Sequence, residues 1–175
     1  MDAAVEGKVF SKSQQADQII RNYSLGSIVP SLIPVPLVDL AGVAGIQLKM
    51  LHSLARTYGV EFKEEFGRSA VSSLIGGTVA LSTARVASSA VKAIPGIGSI
   101  VGGLTGPAVN GGTTYALGKV FTQHFESGGT FLTFDAAKVR AYFEEQFKKG
   151  KAMIASAQAS GEVAKDGSAA APKAK

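Results

Sequence analysis

Between Ala93 and Gly118 the chain runs for 26 residues without a charge, and eight of them are glycine. Glycine inside a helix costs about 1 kcal/mol relative to alanine, so a helix that accepts several must recover the loss through close approach to something else. Spacing indicates how. Gly98, Gly102 and Gly106 fall four residues apart, and Asn110, Thr114 and Gly118 continue the row. Upstream, Ser72, Gly76, Ala80, Ala84 and Ser88 form a second row at the same interval. Residues four apart share one helical face, and rows of small side chains let two backbones touch. Pro95-Gly96 lies between the rows and predicts a turn, hence a helical hairpin zipped face to face. Where apolar side chains gain nothing by leaving lipid, such packing holds helices together. A tightly packed soluble bundle would show the same spacing, and both readings stay open.

The rest of the chain is also helical in pattern. Pro36 suits the first turn of a helix that continues through Met50 and Leu54 until Gly59, a left-handed cap after Tyr58. Glu61 to Arg68 is amphipathic and charged, and leads into Ser69 to Ala84, which carry no charge. With Arg85 and Lys92 this predicts one long helix ending before Pro95. The helix after the turn ends at Ser127-Gly128-Gly129. Thr133 or Asp135 caps a final helix over Ala136 to about Ala159, with Val139, Tyr142, Phe143, Phe147 and Ile154 as its apolar stripe. No run of alternating β-branched residues occurs, so the fold class is all-α: helical hairpins with small-residue, glycine-zipper-like packing, plus a C-terminal amphipathic helix. The organisation follows as a polar segment over 1–12, a membrane-associated helical domain over 13–126, the amphipathic helix within 127–159 and a flexible basic tail over 160–175.

A helix spanning a bilayer needs about 20 predominantly apolar residues. The runs at 22–48, 69–91 and 93–118 are long enough but broken by Pro30, Pro34, Pro36, Asp39, Arg85 or glycines. An Asp or Arg at mid-bilayer costs roughly 2.5 to 3.5 kcal/mol, so packed hairpins or shallow insertion fit better than independent spans. The N-terminal MDAAVEGKVFSKSQQ lacks the basic and apolar regions of a signal peptide, and Asp2 stands where myristoylation needs glycine.

Net charge is +5, and its placement decides its meaning. Residues 148–175 carry six lysines against Glu162 and Asp166, net +4, which leaves +1 for residues 1–147. No basic face interleaved with aromatics exists, so nucleic acid is not an expected partner. Lys148, Lys149 and Lys151 are placed to meet anionic headgroups, at about 1 kcal/mol per charge. Lys49, Arg56, Lys63 and Arg68 flank the apolar hairpins, and the positive-inside bias then puts both termini on the cytoplasmic side of the inner membrane.

An internal echo nominates polar positions in apolar surroundings. Gly26-Ser27-Ile28-Val29, Leu32 and Pro36-Leu37-Val38-Asp39 recur as Gly98-Ser99-Ile100-Val101, Leu104 and Pro107-Ala108-Val109-Asn110, with a one-residue difference in spacing. Asp39 and Asn110 are equivalent in this scheme, and Gln47 is a third buried polar candidate. Asp39 has three readings: a bond to a neighbouring helix or the backbone near Pro36, a pair with Lys49, Arg85 or Lys92, or an ion path.

Chemistry is excluded more readily than assigned. With no cysteine there is no disulfide, thiolate metal site or cysteine nucleophile. Gly96-Ile-Gly98-Ser-Ile-Val-Gly102 imitates a dinucleotide loop, but its third glycine comes one position late and no strand precedes it. His52 and His124 fall on different helices, which predicts no metal site, and Glu64-Glu65 and Glu144-Glu145 read as solvated faces. The expectation is a protein with no catalytic residues, metal or cofactor.

Several of these segments resemble a known family. Pro34-Val-Pro-Leu-Val-Asp39, Gln47-Leu-Lys-Met50, Leu54-Ala55, Tyr58-Gly59, Ile94-Pro-Gly-Ile-Gly-Ser99, Gly102-Gly103 and Thr114-Tyr-Ala-Leu-Gly118 look like the YcjF-type membrane domain of unknown function. The resemblance covers roughly residues 15 to 126. It implies an α-helical, inner-membrane-associated module, in a family where the domain often follows a small Ras-like GTPase domain. No GxxxxGK[ST] loop occurs here, so any GTPase is a separate partner. The leading expectation is a non-enzymatic membrane-associated scaffold that forms homo-oligomers through its small-residue faces. The alternatives are a soluble all-α module regulating a separate GTPase, and a pore or transport protein using Asp39 and Asn110.

Overall fold

A computed structural model describes residues 10–28, 36–88 and 107–161, with the side chains of 10–28, 42–76 and 107–161. Within them are five helices and no strand: α1 (Lys12–Gly26), α2 (Pro36–Tyr58), α3 (Glu64–Ser88), α4 (Pro107–Glu126) and α5 (Ala136–Ala159). The all-α expectation holds. The Pro95-Gly96 turn, Gly98, Gly102, Gly106 and residues 162–175 of the tail lie outside the described residues.

Local chemistry sets the helix ends. Ser11 opens α1 as a capping box: the Gln14 amide donates to Ser11 Oγ at 3.2 Å, and the Ser11 amide donates to Gln14 Oε1 at 3.0 Å. Composition hid this helix, because its sequence is polar and of mixed charge. Pro36 and Pro107 each begin a helix, as the internal echo requires. Gly59, at φ +73°, ends α2, and the Val60 amide closes back on the Ala55 carbonyl at 2.8 Å. Of the two candidate caps for α5, Asp135 serves: its Oδ1 accepts from the Ala137 amide at 3.0 Å. Thr133 instead holds the preceding turn, accepting from the Thr130 amide at 2.9 Å.

The helices alternate in direction. Ile20 of α1 lies over Gly118 of α4, and the Ser24 carbonyl faces Gly111, so α1 and α4 are antiparallel. Gln47 meets Thr114 and Tyr58 meets Glu126, so α2 runs with α4. Leu48 approaches Gly67, and α3 returns along α2. Ile154 covers Gly111 and Gly150 faces Gly112, which sets α5 antiparallel to α4. One end of the bundle, called upper below, therefore gathers the C-termini of α1, α3 and α5 and the N-termini of α2 and α4. The lower end holds Phe10 and the connections 59–63 and 127–135. Helix α4 is central, flanked by α1, α2 and α5, and α3 packs on α5 and α2. The main core contains Ile20, Met50, Leu51, Leu54, Leu74, Leu117, Phe121 and Phe143; Leu25, Ile28, Ile154 and Ala157 form a second cluster at the upper end.

Candidate functional site

The two small-residue rows have different surroundings. On α3, Ser72 and Gly76 are exposed, and a Cβ added to Gly76 would meet nothing within 4 Å. Ala80, Ala84 and Ser88 continue along the same helix, with side chains outside those described. On α4 the row faces inward. A Cβ at Gly118 would come within 2.5 Å of Ile20 Cγ1, and Thr114 is fully buried.

A closer approach lies beside that row. Gly150 of α5 sits against Gly112 of α4, where an added Cβ would stand 2.9 Å from the Gly112 carbonyl oxygen and 3.0 Å from its Cα. Ile154 fills the space over Gly111, and the stem of Lys151 covers Gly112. Spacing by fours missed this seam because Gly111 and Gly112 fall off the row. Gly150, a lone glycine between Lys149 and Lys151 in an otherwise good helix, was the available signal.

Two of the nominated polar residues are joined through Thr114. Gln47, buried on α2, donates from Nε2 to Thr114 Oγ1 at 3.4 Å, and Thr114 Oγ1 donates to the Asn110 carbonyl at 2.9 Å. Thr114 thus links Gln47 to the backbone of Asn110, whose own side chain is half-buried. Asp39 lies in the first turn of α2, with its side chain outside those described.

The basic candidates on α5 separate by environment. Lys148 is exposed; Lys149 pairs with Glu145 at 2.7 Å; Lys151 holds its ammonium 5.6 Å from the centre of the Phe147 ring. Across the bundle, Lys119 pairs with Asp17 at 2.5 Å. Burial works against the charged form of Lys119, but the Asp17 hydrogen bond and charge outweigh it and raise its pKa. Burial and the 2.7 Å bond to Glu126 hold the Tyr58 hydroxyl protonated far above its usual range.

His52 stacks on Phe62 at 4.9 Å, while His124 Nε2 contacts the Thr130 carbonyl at 2.9 Å. They do not converge, and among the described residues no group of three His, Asp or Glu could hold a metal. Glu64 pairs with Arg68 at 2.6 Å in solvent, and Glu145 is likewise exposed. Among the described residues, one shallow depression of about 130 Å³ lies between α2 and α3 and another of about 170 Å³ beside Arg21 and Met153. Neither is lined by a carboxylate or a histidine. Tyr142, Phe143 and Phe147 pack into the protein's own core. No helix among the described residues is long and apolar enough to cross a membrane.

Residues 6–152 match the domain of unknown function DUF697. Over 150 residues the chain is 43% identical to a Magnetospirillum gryphiswaldense protein called magnetosome membrane protein 22, an overlap covering 85% of this chain and 77% of that one. No solved structure matches the chain.

Proposed function

The chain belongs to the DUF697 family of domains of unknown function, and from that premise we propose that it is a non-enzymatic, membrane-associated helical scaffold that self-associates through small-residue faces. The observation that carries this reading is the 43% identity, across most of the chain, to a protein named for a membrane. Charge-free sequence at 69–84 and 93–118 supports it, because such segments suit packed hairpins inserted shallowly from the cytoplasmic leaflet. The face offered to a second copy is that of Ser72 and Gly76, which nothing in the described bundle covers.

The test has two parts. Isolated membranes carrying the protein are washed with alkaline carbonate, and retention is expected; release into the wash overturns embedded hairpins. Gly76→Leu adds bulk where a Cβ meets nothing within 4 Å among the described residues, so the folded bundle is expected to persist, with helical circular dichroism as its check. The variant is expected to lower the mass measured by light scattering in detergent. An unchanged oligomer overturns the α3 face, and a monomeric wild-type protein overturns self-association.

A further inference from the structure

We propose that the bundle meets an anionic lipid surface end-on, upper end toward the lipid, with Arg21, Lys49, Arg68, Lys119, Lys148 and Lys151 forming a basic belt at headgroup level. The inference rests on the membrane association proposed above and adds which end faces the membrane and what reads the headgroups.

Charge is partitioned along the bundle axis. Toward the upper end, residues 22–28 of α1, 107–118 of α4 and 152–161 of α5 carry no charge. Residues 36–48 of α2 and 69–88 of α3 carry only Asp39 and Arg85. The lower end carries mixed charge on its connections and helix termini, with Glu61, Glu64, Glu65, Glu126 and Asp135 beside Lys12, Arg56, Lys63, Lys138 and Arg140.

At the boundary, every helix brings a basic residue to one level. Ile20 lies over Gly118, Gln47 bonds Thr114, Leu48 approaches Gly67, and the Lys151 stem covers Gly112. Arg21, Lys49, Arg68, Lys119, Lys148 and Lys151 therefore fall beside residues 112–119 of α4, a band about 10 Å high at 1.5 Å rise per residue. Lys and Arg lay their stems along apolar surface and hold their charge at the water boundary, which is the placement a belt requires.

The three ion pairs nearest the belt share one polarity. Asp17 precedes Lys119's level on the ascending α1, Glu64 lies one turn below Arg68 on α3, and Glu145 lies one turn below Lys149 on α5. In all three the acid stands on the lower side, so positive charge faces the uncharged end. An anionic surface above the belt complements that arrangement; a zwitterionic or apolar surface alone does not use it.

The full chain contains no cysteine, so single-cysteine probes report one position each. Ser156→Cys labels exposed α5 near the upper end, and Leu132→Cys labels the lower 127–135 connection, where Leu132 is 74% exposed. Each is coupled to a fluorophore and mixed with phosphatidylglycerol vesicles containing brominated acyl chains. Quenching at position 156 but not at 132 is expected. Equal quenching, or quenching at 132 alone, overturns the orientation while leaving membrane association standing. Failure to float with vesicles overturns both. In the unlabelled chain, R21Q/K148Q/K151Q is expected to weaken binding to phosphatidylglycerol vesicles roughly 100-fold, from about 1 kcal/mol per charge. It leaves weak binding to phosphatidylcholine unchanged. A triple variant that binds phosphatidylglycerol as the wild type does overturns the belt.

Discussion

The lower part of the bundle is filled with aromatic rings, and the upper part is closed by glycine. Phe121 stacks on Phe134 at 4.5 Å and lies 5.4 Å from Phe131, which in turn meets Phe125 and Phe62. Above Tyr115 on α4 and Phe147 on α5 neither helix carries an aromatic residue, and Gly111, Gly112 and Gly150 bring two backbones together. The difference is one of driving force. Burying rings is favourable because it removes apolar area from water, and that gain exists only where water is the alternative. Backbone contact through glycine depends on van der Waals packing, which persists when the surroundings are lipid. One chain thus uses an aromatic core at one end and a close glycine seam at the other.

The largest effect is expected in the aromatic half. Phe121→Ala removes a fully buried ring in contact with three others, and chemical denaturation should show a loss of about 3–5 kcal/mol. A loss below about 1 kcal/mol would mean that the rings are not the core of this end. Next comes the seam. Gly150→Ala gains helix propensity but puts a methyl 2.9 Å from the Gly112 carbonyl and 2.8 Å from Tyr115 Cβ, so a net loss of about 1–3 kcal/mol is expected. Gly76→Ala is its control: the same substitution in open space should be neutral or gain up to about 1 kcal/mol. Equal responses at Gly150 and Gly76 would erase the distinction between a packed and an unpacked glycine.

Gln47→Leu should cost less, about 1 kcal/mol. The bond from Gln47 to Thr114 is long, at 3.4 Å, and the Thr114 hydroxyl keeps its 2.9 Å bond to the Asn110 carbonyl when the amide is gone. No donor is stranded, and the loss is that of one weak buried hydrogen bond. A loss above about 3 kcal/mol would give this polar link a larger part in holding the upper half than the glycine seam has.

Much of the fold was legible because helix ends are written locally. Pro36, Gly59, Asp135 and the glycines after Glu126 each act through their own backbone or a neighbour's amide, so position alone identifies them. Ser11 and Gln14 carry an equally local signal for α1, set in polar sequence of mixed charge. The seam was not legible, because Gly112 and Gly150 meet only after the chain reverses through 127–135, and nothing near either residue encodes that register. The division of charge is hidden for the same reason. Lys49 and Lys148 lie 99 positions apart, and alternating helix direction brings them to one level.

That level also changes how the C-terminal charge is understood. As sequence, residues 148–175 form one basic stretch of net +4. The structure divides it: Lys148, Lys149 and Lys151 stand on α5 at the boundary between the two halves, while residues 162–175 carry three lysines against Glu162 and Asp166, net +1. Membrane attraction of about 1 kcal/mol per basic charge then assigns most of the electrostatic binding to the helix. Deleting residues 162–175 should weaken binding to phosphatidylglycerol vesicles by about fivefold or less, the smallest effect in the series. A loss as large as that of R21Q/K148Q/K151Q would move the contact from the boundary of the bundle to the tail.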